Sequence, residues 1–569
     1  MKTHLLILTV FLSLTVAHGQ TNVSGLISTN TNWNLAGSPY IVVGNTLVQQ
    51  GATLTIDAGV VIKFDSGKAI QIEGELIAIG NSSNKILFTS NTTTSNGAWA
   101  KIQFADSSKN AVVDTNGNYF SGSIMTHCNV LYGGGSGTGT IQTNNASPLI
   151  RNCNVLNSGS DGIHIIGSPV RVDSCLIKNC TGAGLYFESP FYYGCNLIIQ
   201  KDSIVNNNAG GIYFYGFGSN SLCSVYPCKI QYNYFGSNHQ NGAIADAGGG
   251  SVYGSMTISN NKFENNTSTL GGAINTSGNR GVTISCNTFI GNQATIKGGA
   301  IIMYGYSNPY TWDVTNNIFD NNSSPKGASI YFDFTYANTY NAVNLTGNVI
   351  RNNIIGGSSV YCQGNTGNGI GNITTIFQFS NNNFYNNKTS SVLLLNYFKG
   401  NINNNNFINP GSTYEIDNYN ITGAPSITAN NNYWGTTNTQ HVDSVINDFF
   451  DNSNLTVVNY NAVLTSPILT DTSCISNANG ISNIEVPKNK LTVFPNPFSW
   501  QTTLQIDNFF KNASLTVYNS VGQIVKRIDN LSGQTIVFYR DNLPSGLYFV
   551  RLTQDGNTIS ADKFVITDK

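Results

Sequence analysis

The sequence predicts an all-β protein in which a long solenoid of parallel strands is followed by a small separate domain. Three observations support this. An Asn-centred motif repeats through the middle of the chain, short apolar alternations leave no room for crossover helices, and the composition changes before the C-terminus. A chain of 569 residues is also too long for one ordinary core.

The motif consists of an apolar residue, two variable residues, Asn, any residue and a large apolar residue, and it recurs about every 21 to 34 residues. Weaker copies place Leu156, Ile177, Val205 and Phe235 at its last position. The clearest copies are Ile258, Asn261 and Phe263; Ile284, Asn287 and Phe289; Val314, Asn317 and Phe319; Leu345, Asn348 and Ile350; Phe379, Asn382 and Phe384; and Ile402, Asn405 and Phe407. The motif predicts one stacked interior row, made of Leu156, Ile177, Val205, Phe235, Phe263, Phe289, Phe319, Ile350, Phe384 and Phe407.

The Asn of the motif is predicted to occupy a corner of each coil. Alternation turns Ile258 and Phe263 inward and leaves Asn261 between them. Asn tolerates the left-handed conformation, and its amide can bond to the Asn one coil away, at a spacing of about 4.8 Å. The pattern therefore predicts an Asn ladder that fixes the register of the coils.

Short apolar alternations predict an N-terminal cap and the first coils within residues 20–130. Leu54 alternates with Ile56, and Ile70 alternates with Ile72, between Gly and Asn turns. About three such strands occupy 20-odd residues, which leaves no room for the helix of a crossover connection. A parallel β-helix remains, with its central coils over residues 131–437.

A solenoid must also cover its open ends, because these present unpaired strand edges. Residues 432–435 are predicted to close the last coil. An apolar stripe with helical spacing then predicts a lid helix within a C-terminal cap over residues 438–470. The stripe consists of Val442, Val445, Ile446, Phe449 and Phe450.

Residues 1–19 are predicted to be a signal peptide. Lys2 and His4 precede an apolar run, and Ala17 and Gly19 provide the small residues of a cleavage site. No later segment is long and apolar enough to span a bilayer, so no transmembrane segment is expected. The net charge of −1 gives no reason to expect a nucleic-acid partner.

The ten cysteines do not have the spacing of a disulfide framework. Cys128, Cys153 and Cys286 are predicted to share one motif position as small buried residues. Cys223 and Cys228 flank a short loop and form the one possible local disulfide. Cys and His residues lack zinc-site spacing, and we expect neither a metal nor another cofactor.

A polar linker is predicted over residues 471–487 and a separate domain over residues 488–569, where the Asn repeats stop and a third of all Lys and Arg lie. The landmarks of this domain are Phe494, Pro495, Asn496 and Pro497; Leu515, Val517, Tyr518 and Gly522; Leu543, Gly546 and Tyr548; and Lys563 to Ile566. In their order they resemble the type A C-terminal sorting domain of type IX secretion. The resemblance implies a small Ig-like β-sandwich whose partner is the type IX export machinery and which is commonly removed on arrival. It also implies a protein that is secreted or held at the outer-membrane surface.

The β-helix itself also resembles a known class. Residues 38–41, 51–64 and 432–435 are similar to segments of secreted bacterial right-handed parallel β-helix proteins, and the resemblance covers roughly residues 35–470. It implies a right-handed coil. The class includes polysaccharide lyases and hydrolases, adhesins and proteins of unknown role, so it does not decide the activity.

One strand recurs after a small-residue turn, and its second residue is predicted to face outward. On successive coils this residue is His164, Tyr186, Tyr213, Asn275, Ile302, Tyr331 or Tyr361. A ladder of rings could stack on the sugar rings of an extended glycan, so His164, Tyr186, Tyr213, Tyr331 and Tyr361 are the candidate ligand-binding residues. Extracellular polysaccharide is the candidate ligand. The alternative is a set of cross-strand pairs that only stabilise the sheet.

Charge of both signs is concentrated near one end of the coil. The residues are Arg151, Asp161, His164, Arg171, Asp173, Lys178, Glu188, Lys201 and Asp202. Asp173 and Lys201 are predicted to share an outward position on successive coils. They would belong either to an active site or to an exposed ion pair.

The sequence contains no complete set of residues for cleaving a glycan. Hydrolysis of a glycoside needs a pair of carboxylates, and elimination needs a calcium-binding acidic cluster with a basic residue. Residues 161–164 resemble polygalacturonases only in part, because the other aspartates and the Gly-His-Gly element of that family are missing. We therefore assign no catalytic residue. The sequence favours a glycan-binding or adhesion module and leaves open a polysaccharide lyase or glycoside hydrolase, or a passive structural surface protein.

Overall fold

The structure is a computed structural model that describes residues 19–114, 117–167, 170–188, 197–215, 228–246, 255–277, 281–305, 310–337, 341–354, 356–365, 373–469, 473–474, 492–519, 523–554 and 557–568. The chain forms two compact units, Met1–Ile481 and Ser482–Lys569. This division lies before the predicted domain boundary at residue 488.

The first unit is a parallel β-helix, which confirms the predicted fold class. Its strands form three rows, and each strand pairs in parallel with the equivalent strand of the next coil. The first row contains Thr31–Trp33, Thr53–Ile56, Glu75–Ile79, Ile124–Thr126, Leu149–Arg151, Arg171–Asp173, Ile198–Gln200, Cys228–Gln231, Ser255–Ser259, Gly281–Ser285, Thr311–Thr315, Asn341–Thr346, Thr375–Ser380, Gly400–Asn403, Ile427–Thr428 and Val458–Asn459.

The second and third rows belong to one sheet, because the long strands Thr21–Ile27 and Tyr40–Val48 at its start span both. The second row contains Val61–Phe64, Ile86–Ser90, Cys128–Leu131, Asn154–Leu156, Leu176–Lys178, Ser203–Val205, Tyr234–Gly236, Lys262–Glu264, Thr288–Ile290, Ile318–Asp320, Val349–Arg351, Asn383–Tyr385 and Asn406–Ile408. The third row contains Ile70–Ile72, Ile102–Phe104, Ile141–Asn144, Ile163–Ile166, Leu185–Glu188, Ile212–Tyr215, Ile244–Asp246, Ile274–Ser277, Ile301–Tyr304, Ile330–Asp333, Ser358–Gln363, Ser391–Asn396, Tyr414–Asn418 and Ile446–Asn447.

Two small strand pairs and two short helices complete the described part of this unit. Val112–Val113 pairs with Tyr119–Ser121 in antiparallel fashion, and Thr267–Leu270 pairs with Gln293–Lys297 in parallel. The helices are a 3₁₀ turn at Leu35–Gly37 and an α-helix at Thr439–Ser444.

The inward residues of the second row form the predicted stack of apolar side chains. In register they are Val155, Ile177, Ile204, Phe235, Phe263, Phe289, Phe319, Ile350, Phe384 and Phe407, all fully buried. The rings from Phe235 to Phe319 lie 4.7 to 4.9 Å apart and almost parallel. The predicted row is therefore confirmed at most of its positions.

The prediction was wrong at Leu156 and Val205, which face outward, while Val155 and Ile204 point into the core. In these two coils both candidate residues are apolar. The position two residues before the anchor, which carries Asn in later coils, is Cys153 in one coil and Asp202 in the other. Without the Asn, the motif does not fix the register to one residue.

Asn residues form the predicted ladder at the corner before the second row. The backbone N–H and side-chain amide of Asn261 both donate to Asn287 Oδ1, at 2.8 and 3.0 Å, and the same amide donates to the Ile230 carbonyl. The left-handed turn is made by the preceding residue, Asn260, with a φ of 56°. Consecutive residues therefore have separate roles, because Asn260 makes the turn and Asn261 forms the ladder. The ladder contains Asn233, Asn261, Asn287, Asn317, Asn348, Asn382, Asn405 and Asn432.

A second Asn ladder lies at the corner after the second row, with the same pattern of bonds. It contains Asn207, Asn238, Asn266, Asn292, Asn322, Asn353, Asn387 and Asn409. All these side chains are buried. Each net hydrogen bond contributes roughly 0.5 to 1.5 kcal/mol, so the two ladders fix the register on both sides of the aromatic stack.

Carboxylic acids end both ladders. Asp202 ends the first ladder, and its Oδ1 accepts from the Cys175 backbone N–H at 2.6 Å, while its Oδ2 has no partner among the described residues. Burial raises the pKa of Asp202 well above its usual range. Glu415 ends the second ladder, and it accepts from the Asn409 backbone at 2.9 Å and from the Asn409 amide at 2.8 Å.

Replacing Glu415 by Gln should flatten the dependence of stability on pH. Burial raises the pKa of Glu415 from 4.5 to about 7, so the folded state binds this proton more tightly than the unfolded chain does. The stabilisation is present below pH 4.5 and is lost as the pH rises to about 7, by at most about 3 kcal/mol. Urea unfolding at about pH 5 and about pH 8 measures the slope. The partly exposed Glu73→Gln is the control, and an unchanged slope in Glu415→Gln would contradict the assignment.

Only some of the cysteines occupy the position that Asn occupies in the first ladder. Cys128, Cys153 and Cys175 occupy the first ladder's position on three earlier coils, and all three are buried free thiols. Cys286 instead lies at the left-handed position, with a φ of 56°, and forms a disulfide with Cys474. The predicted shared position was therefore wrong for Cys286. The predicted Cys223–Cys228 disulfide stays a prediction, because Cys223 lies outside the described residues; Cys228 is buried.

The C-terminal cap contains a shorter helix than the apolar stripe predicts. The helix ends at Ser444, and only Val442 of the stripe is buried within it. Ile446 already belongs to a strand that pairs with Ile416, because the coil offers a free strand edge there. Phe450 is 74% exposed. The stripe thus covers the coil by one helical turn and one more strand.

The second unit consists of five antiparallel strands around one apolar core. The strands are Thr492–Phe494, Gln501–Tyr518, Ile524–Tyr539, Gly546–Gln554 and Asn557–Ile566. The core contains Phe498, Leu504, Leu515, Phe538, Val550 and Phe564, among others.

The predicted landmarks hold this unit together. Asn496 donates to the Lys563 carbonyl and accepts from the Val565 N–H at 2.9 Å, so the Pro495–Pro497 turn is tied to the last strand. Gly546 starts the fourth strand, and the buried Tyr548 donates its hydroxyl to the Pro544 carbonyl at 2.8 Å. Gly522 lies outside the described residues.

Candidate functional site

The predicted outward residues lie side by side along the third row. In register the row runs Gln142, His164, Tyr186, Tyr213, Ala245, Asn275, Ile302, Tyr331 and Tyr361. Three residues without rings, Ala245, Asn275 and Ile302, therefore separate two groups of rings. The structure brings His164, Tyr186 and Tyr213 together, and it pairs Tyr331 with Tyr361 at another place on the same face.

Rings of the first group stack on one another. The centres of His164 and Tyr186 are 4.6 Å apart at 16°, and those of Tyr186 and Tyr213 are 5.4 Å apart at 26°. Tyr215, which is 51% exposed, lies 6.3 Å from Tyr186. Stacked neighbours cover each other's faces, so Tyr186 presents mainly its edge and hydroxyl. The expectation of a track of exposed ring faces was therefore wrong for this group.

The second group of rings, Tyr331 and Tyr361, is largely covered by neighbouring side chains. Tyr331 is 4% exposed, and its ring stacks on Tyr361 at 4.6 Å. The Lys297 ammonium lies 4.6 Å from the Tyr331 ring centre and 3.1 Å from Asp333. Burial and the nearby Asp333 raise the pKa of Tyr331. This group offers little surface to a ligand, and only Tyr361 is partly exposed.

His164 is held by a carboxylate beneath the first group. Its Nδ1 lies 3.0 Å from Asp161 Oδ2, and Asp161 Oδ1 accepts from the Ala183 N–H at 2.8 Å. Asp161 and His164 are only 8% and 9% exposed. Both oxygens of the carboxylate are thus engaged, and the imidazole is fixed in orientation.

The space for this pair comes from small residues on the neighbouring coils. In register with Asp161 the other coils carry Gly139, Ala183, Gly210 and Gly242, so the carboxylate stands alone in a column of small residues. A Cβ at Gly139 would lie 2.6 Å from His164 N and 2.7 Å from His164 Cβ, and one at Gly182 would collide with Asp161 Oδ1. Three coils therefore cooperate to admit one His–Asp pair.

Glu188 completes the arrangement on the other side of the imidazole. Its Oε2 lies 3.7 Å from His164 Nε2, and its side chain is 45% exposed. Burial and the nearby Glu188 raise the pKa of the Tyr186 phenol to about 12, so the hydroxyl keeps its proton and can donate it. We name Asp161, His164, Tyr186, Glu188 and Tyr213 the His164 cluster. It combines two carboxylates, one imidazole and two phenols on one outer face.

The sequence places Asp161 and Glu188 among the charged residues near one end of the coil, but it does not identify them as partners of His164. Of the other charged residues, Arg151, Arg171 and Asp173 lie on the first row, on another face of the coil. Lys178 lies on the second row, and Lys201 and Asp202 lie at the corner between these two rows. Asp173 accepts from Arg151 at 3.3 Å, Arg171 at 3.4 Å and Gln200 at 3.0 Å. Asp173 pairs in register with Gln200, so the predicted Asp173–Lys201 pair was wrong by one residue. This network stabilises the sheet and leaves its carboxylate fully engaged.

A groove of about 440 Å³ lies near the first coils and is lined by Asn30, Thr53, Glu73, Glu75 and Lys109, among others. The Glu75 carboxylate in this groove accepts from Lys109, from the Thr53 hydroxyl and from the Gly122 N–H. These bonds engage both oxygens of the Glu75 carboxylate, so its role is structural. Within the described part of the chain, no group of three or more His, Cys, Asp or Glu is arranged to hold a metal ion.

Two family models match the chain. Residues 59–225 match a right handed beta helix region, and residues 492–567 match a secretion system C-terminal sorting domain. The protein is a right-handed parallel β-helix with a type IX sorting domain. The sorting domain makes it a secreted or cell-surface protein that the type IX machinery handles. No curated protein matches its sequence.

Solved structures show only distant similarity. The catalytic unit of an alpha-1,3-glucanase from Streptomyces thermodiastaticus is 12% identical, with a TM-score of 0.29, over 70% of this chain and 64% of that one. The receptor-binding tailspike of bacteriophage Det7 is 11% identical, with a TM-score of 0.17, over 96% and 85%. A capsular polysaccharide depolymerase tailspike of Acinetobacter baumannii bacteriophage Fri1 is 9% identical, with a TM-score of 0.17, over 91% and 73%. Similarity at this level carries no inference about function. Among the described residues, no helix has the length and apolar character needed to cross a membrane.

Proposed function

We propose that this exported β-helix is a glycan-binding protein and that the His164 cluster is its contact with the glycan. One observation carries the proposal. A nearly buried His–carboxylate pair is set between small residues on an outer strand face, next to two stacked Tyr rings. Burying such groups costs stability unless they are paired, and the coil folds without them at every neighbouring position. The cluster is therefore more easily explained by a ligand than by folding.

The chemistry of the cluster suits sugar hydroxyls. The Tyr186 and Tyr213 phenols can donate and accept hydrogen bonds, and the Glu188 carboxylate accepts them. Burial raises the pKa of Tyr213 as well as that of Tyr186, which keeps both phenols protonated. Because His164 and Tyr213 cover the faces of the Tyr186 ring, contact through its hydroxyl and edge replaces the face stacking expected from the sequence.

Replacing Tyr186 and Tyr213 together by Phe should weaken glycan binding by about tenfold, because two hydrogen bonds of roughly 0.5 to 1.5 kcal/mol each are lost. The rings and their stacking remain, so the melting temperature should stay within about 2 °C of wild type. Binding would first be located on a glycan array and then measured by calorimetry with the full chain.

Tyr331→Phe together with Tyr361→Phe is the matched control, since the same two hydroxyls are removed from the second ring group. It should bind like wild type. Equal binding by both double variants would remove the His164 cluster from the proposed contact. The absence of any bound glycan would favour a passive structural protein.

A glycan-cleaving enzyme is the second candidate, and the Asp161–His164 pair favours it. A carboxylate that orients an imidazole is the arrangement used to prepare a general base. Incubation with a bound glycan, followed by assays for new reducing ends and for unsaturated products, separates the two functions. His164→Asn should abolish any cleavage that depends on this pair, and an absence of products leaves binding as the function.

A further inference from the structure

His164 has a nitrogen without a hydrogen-bond partner. Its Nδ1 is engaged by Asp161, whereas its Nε2 faces Glu188 Oε2 across 3.7 Å, which is too long for a direct hydrogen bond. No other partner of Nε2 is found among the described residues. The side chain is 11% exposed, and Nε2 keeps contact with solvent, so a ligand can reach it.

The tautomer of His164 determines what a ligand group can do at Nε2. When Nδ1–H donates to Asp161, the neutral imidazole presents the lone pair of Nε2. The Glu188 carboxylate is also an acceptor, so two acceptors face each other across the gap. One group with at least two N–H or O–H bonds, about 2.8 to 3.0 Å from each acceptor, would satisfy both.

Charge decides which donor fits best. The cluster contains two carboxylates, and among the described residues no Lys or Arg forms an ion pair with either of them. Lys101, two coils earlier on this face, donates to Gln142 Oε1 at 2.6 Å. The segments 189–196, 216–227 and 247–254, which follow the third-row strands of these coils in the sequence, contain no charged residue. A cationic donor therefore gains charge-assisted bonds that a hydroxyl does not.

We infer that the His164 cluster selects glycans with free amino groups, and that the ammonium of an amino sugar lies between His164 Nε2 and Glu188 Oε2. This inference rests on the proposed glycan-binding function. Polyuronates should be rejected, because their carboxylates would meet Asp161 and Glu188. A neutral glycan would bind through the phenols alone and would not gain from the charge of Glu188.

The test compares three polymers with the full chain at neutral pH and moderate salt. They are a β-1,4-linked glucosamine oligomer, the same oligomer fully N-acetylated, and polygalacturonate. The wild type should bind the free amine best and polygalacturonate least. Glu188→Gln keeps the size and one acceptor but removes the charge, and it should lose about tenfold in affinity for the free amine. Its affinity for the N-acetylated oligomer should change by less than about twofold.

Glu73→Gln, on an earlier coil of the same protein, is the matched control for general attraction of a polycation. It should leave the affinity for the free amine unchanged. Equal binding of the free and acetylated oligomers, or no effect of Glu188→Gln, would overturn the selectivity while leaving glycan binding intact. Failure to bind any of the three polymers, together with a blank glycan array, would overturn the inference and the proposed function together.

Discussion

Replacing Phe319 by Ala should lower the free energy of unfolding by about 3 to 5 kcal/mol, because the cavity cannot close in a stack held from both sides. Phe319 is fully buried, lies 4.7 Å from Phe289 at an interplanar angle of 3°, and pairs in register with Ile350. Asn317 and Asn322, at the corners on either side of it, are tied to the next coil through their ladders. The surrounding backbone is therefore prevented from collapsing into the space.

Urea unfolding followed by circular dichroism measures this loss. Leu156→Ala is the control, because the structure turns Leu156 outward although the sequence pattern places it in the same interior row. The control should lose less than about 1 kcal/mol. An equal loss in both variants would show that the second-row register described above is incorrect.

The stack and the first ladder were predictable because both recur at fixed offsets from each other. Asn261 and Phe263 stand two residues apart, and the same pair returns as Asn287 with Phe289 and as Asn317 with Phe319. An amide that must reach the next amide and a ring that must reach the next ring leave one possible register. Where Asp202 replaces the Asn, this constraint disappears and the predicted anchor shifts by one residue.

The His164 cluster was only partly predictable, because its contacts run between coils. The turn that carries Asp161 and the strand that carries His164 are visible in the sequence, but the room for both side chains comes from Gly139 and Gly182 on neighbouring coils. Coils differ in length, so counting residues does not show that Glu188 lies opposite His164. The ring faces illustrate the same limit. A period of one ring per coil predicts a row, but it does not predict that neighbouring rings stack and cover one another.

The Cys286–Cys474 disulfide lay beyond prediction for a different reason. Its partners are 188 residues apart in the sequence, and Cys474 belongs to none of the coils. Pairing between such positions depends on the path of the chain after the cap, and no local sequence pattern predicts this path. Spacing rules work for disulfides within a turn or a small domain.

Deleting residues 488–569 should abolish delivery to the cell surface or the medium and leave a folded protein in the periplasm. The deleted segment contains the match to the sorting domain, residues 492–567, which has its own core. The β-helix has a separate core and its own terminal helix, with Val442 buried in it, so its folding does not need the deleted segment. Cell fractionation in a host with type IX secretion locates the protein, and circular dichroism with a urea titration shows that the retained chain is folded.

The variant Leu504→Asp tests whether export requires the sorting domain to be folded, or only requires its residues to be present. This residue is fully buried in the sorting domain, and an unpaired charge there should unfold the domain while the chain keeps its full length. Both variants should be retained to the same extent. Normal surface delivery of the truncated chain would mean that the export signal lies in the β-helix, in spite of the family match.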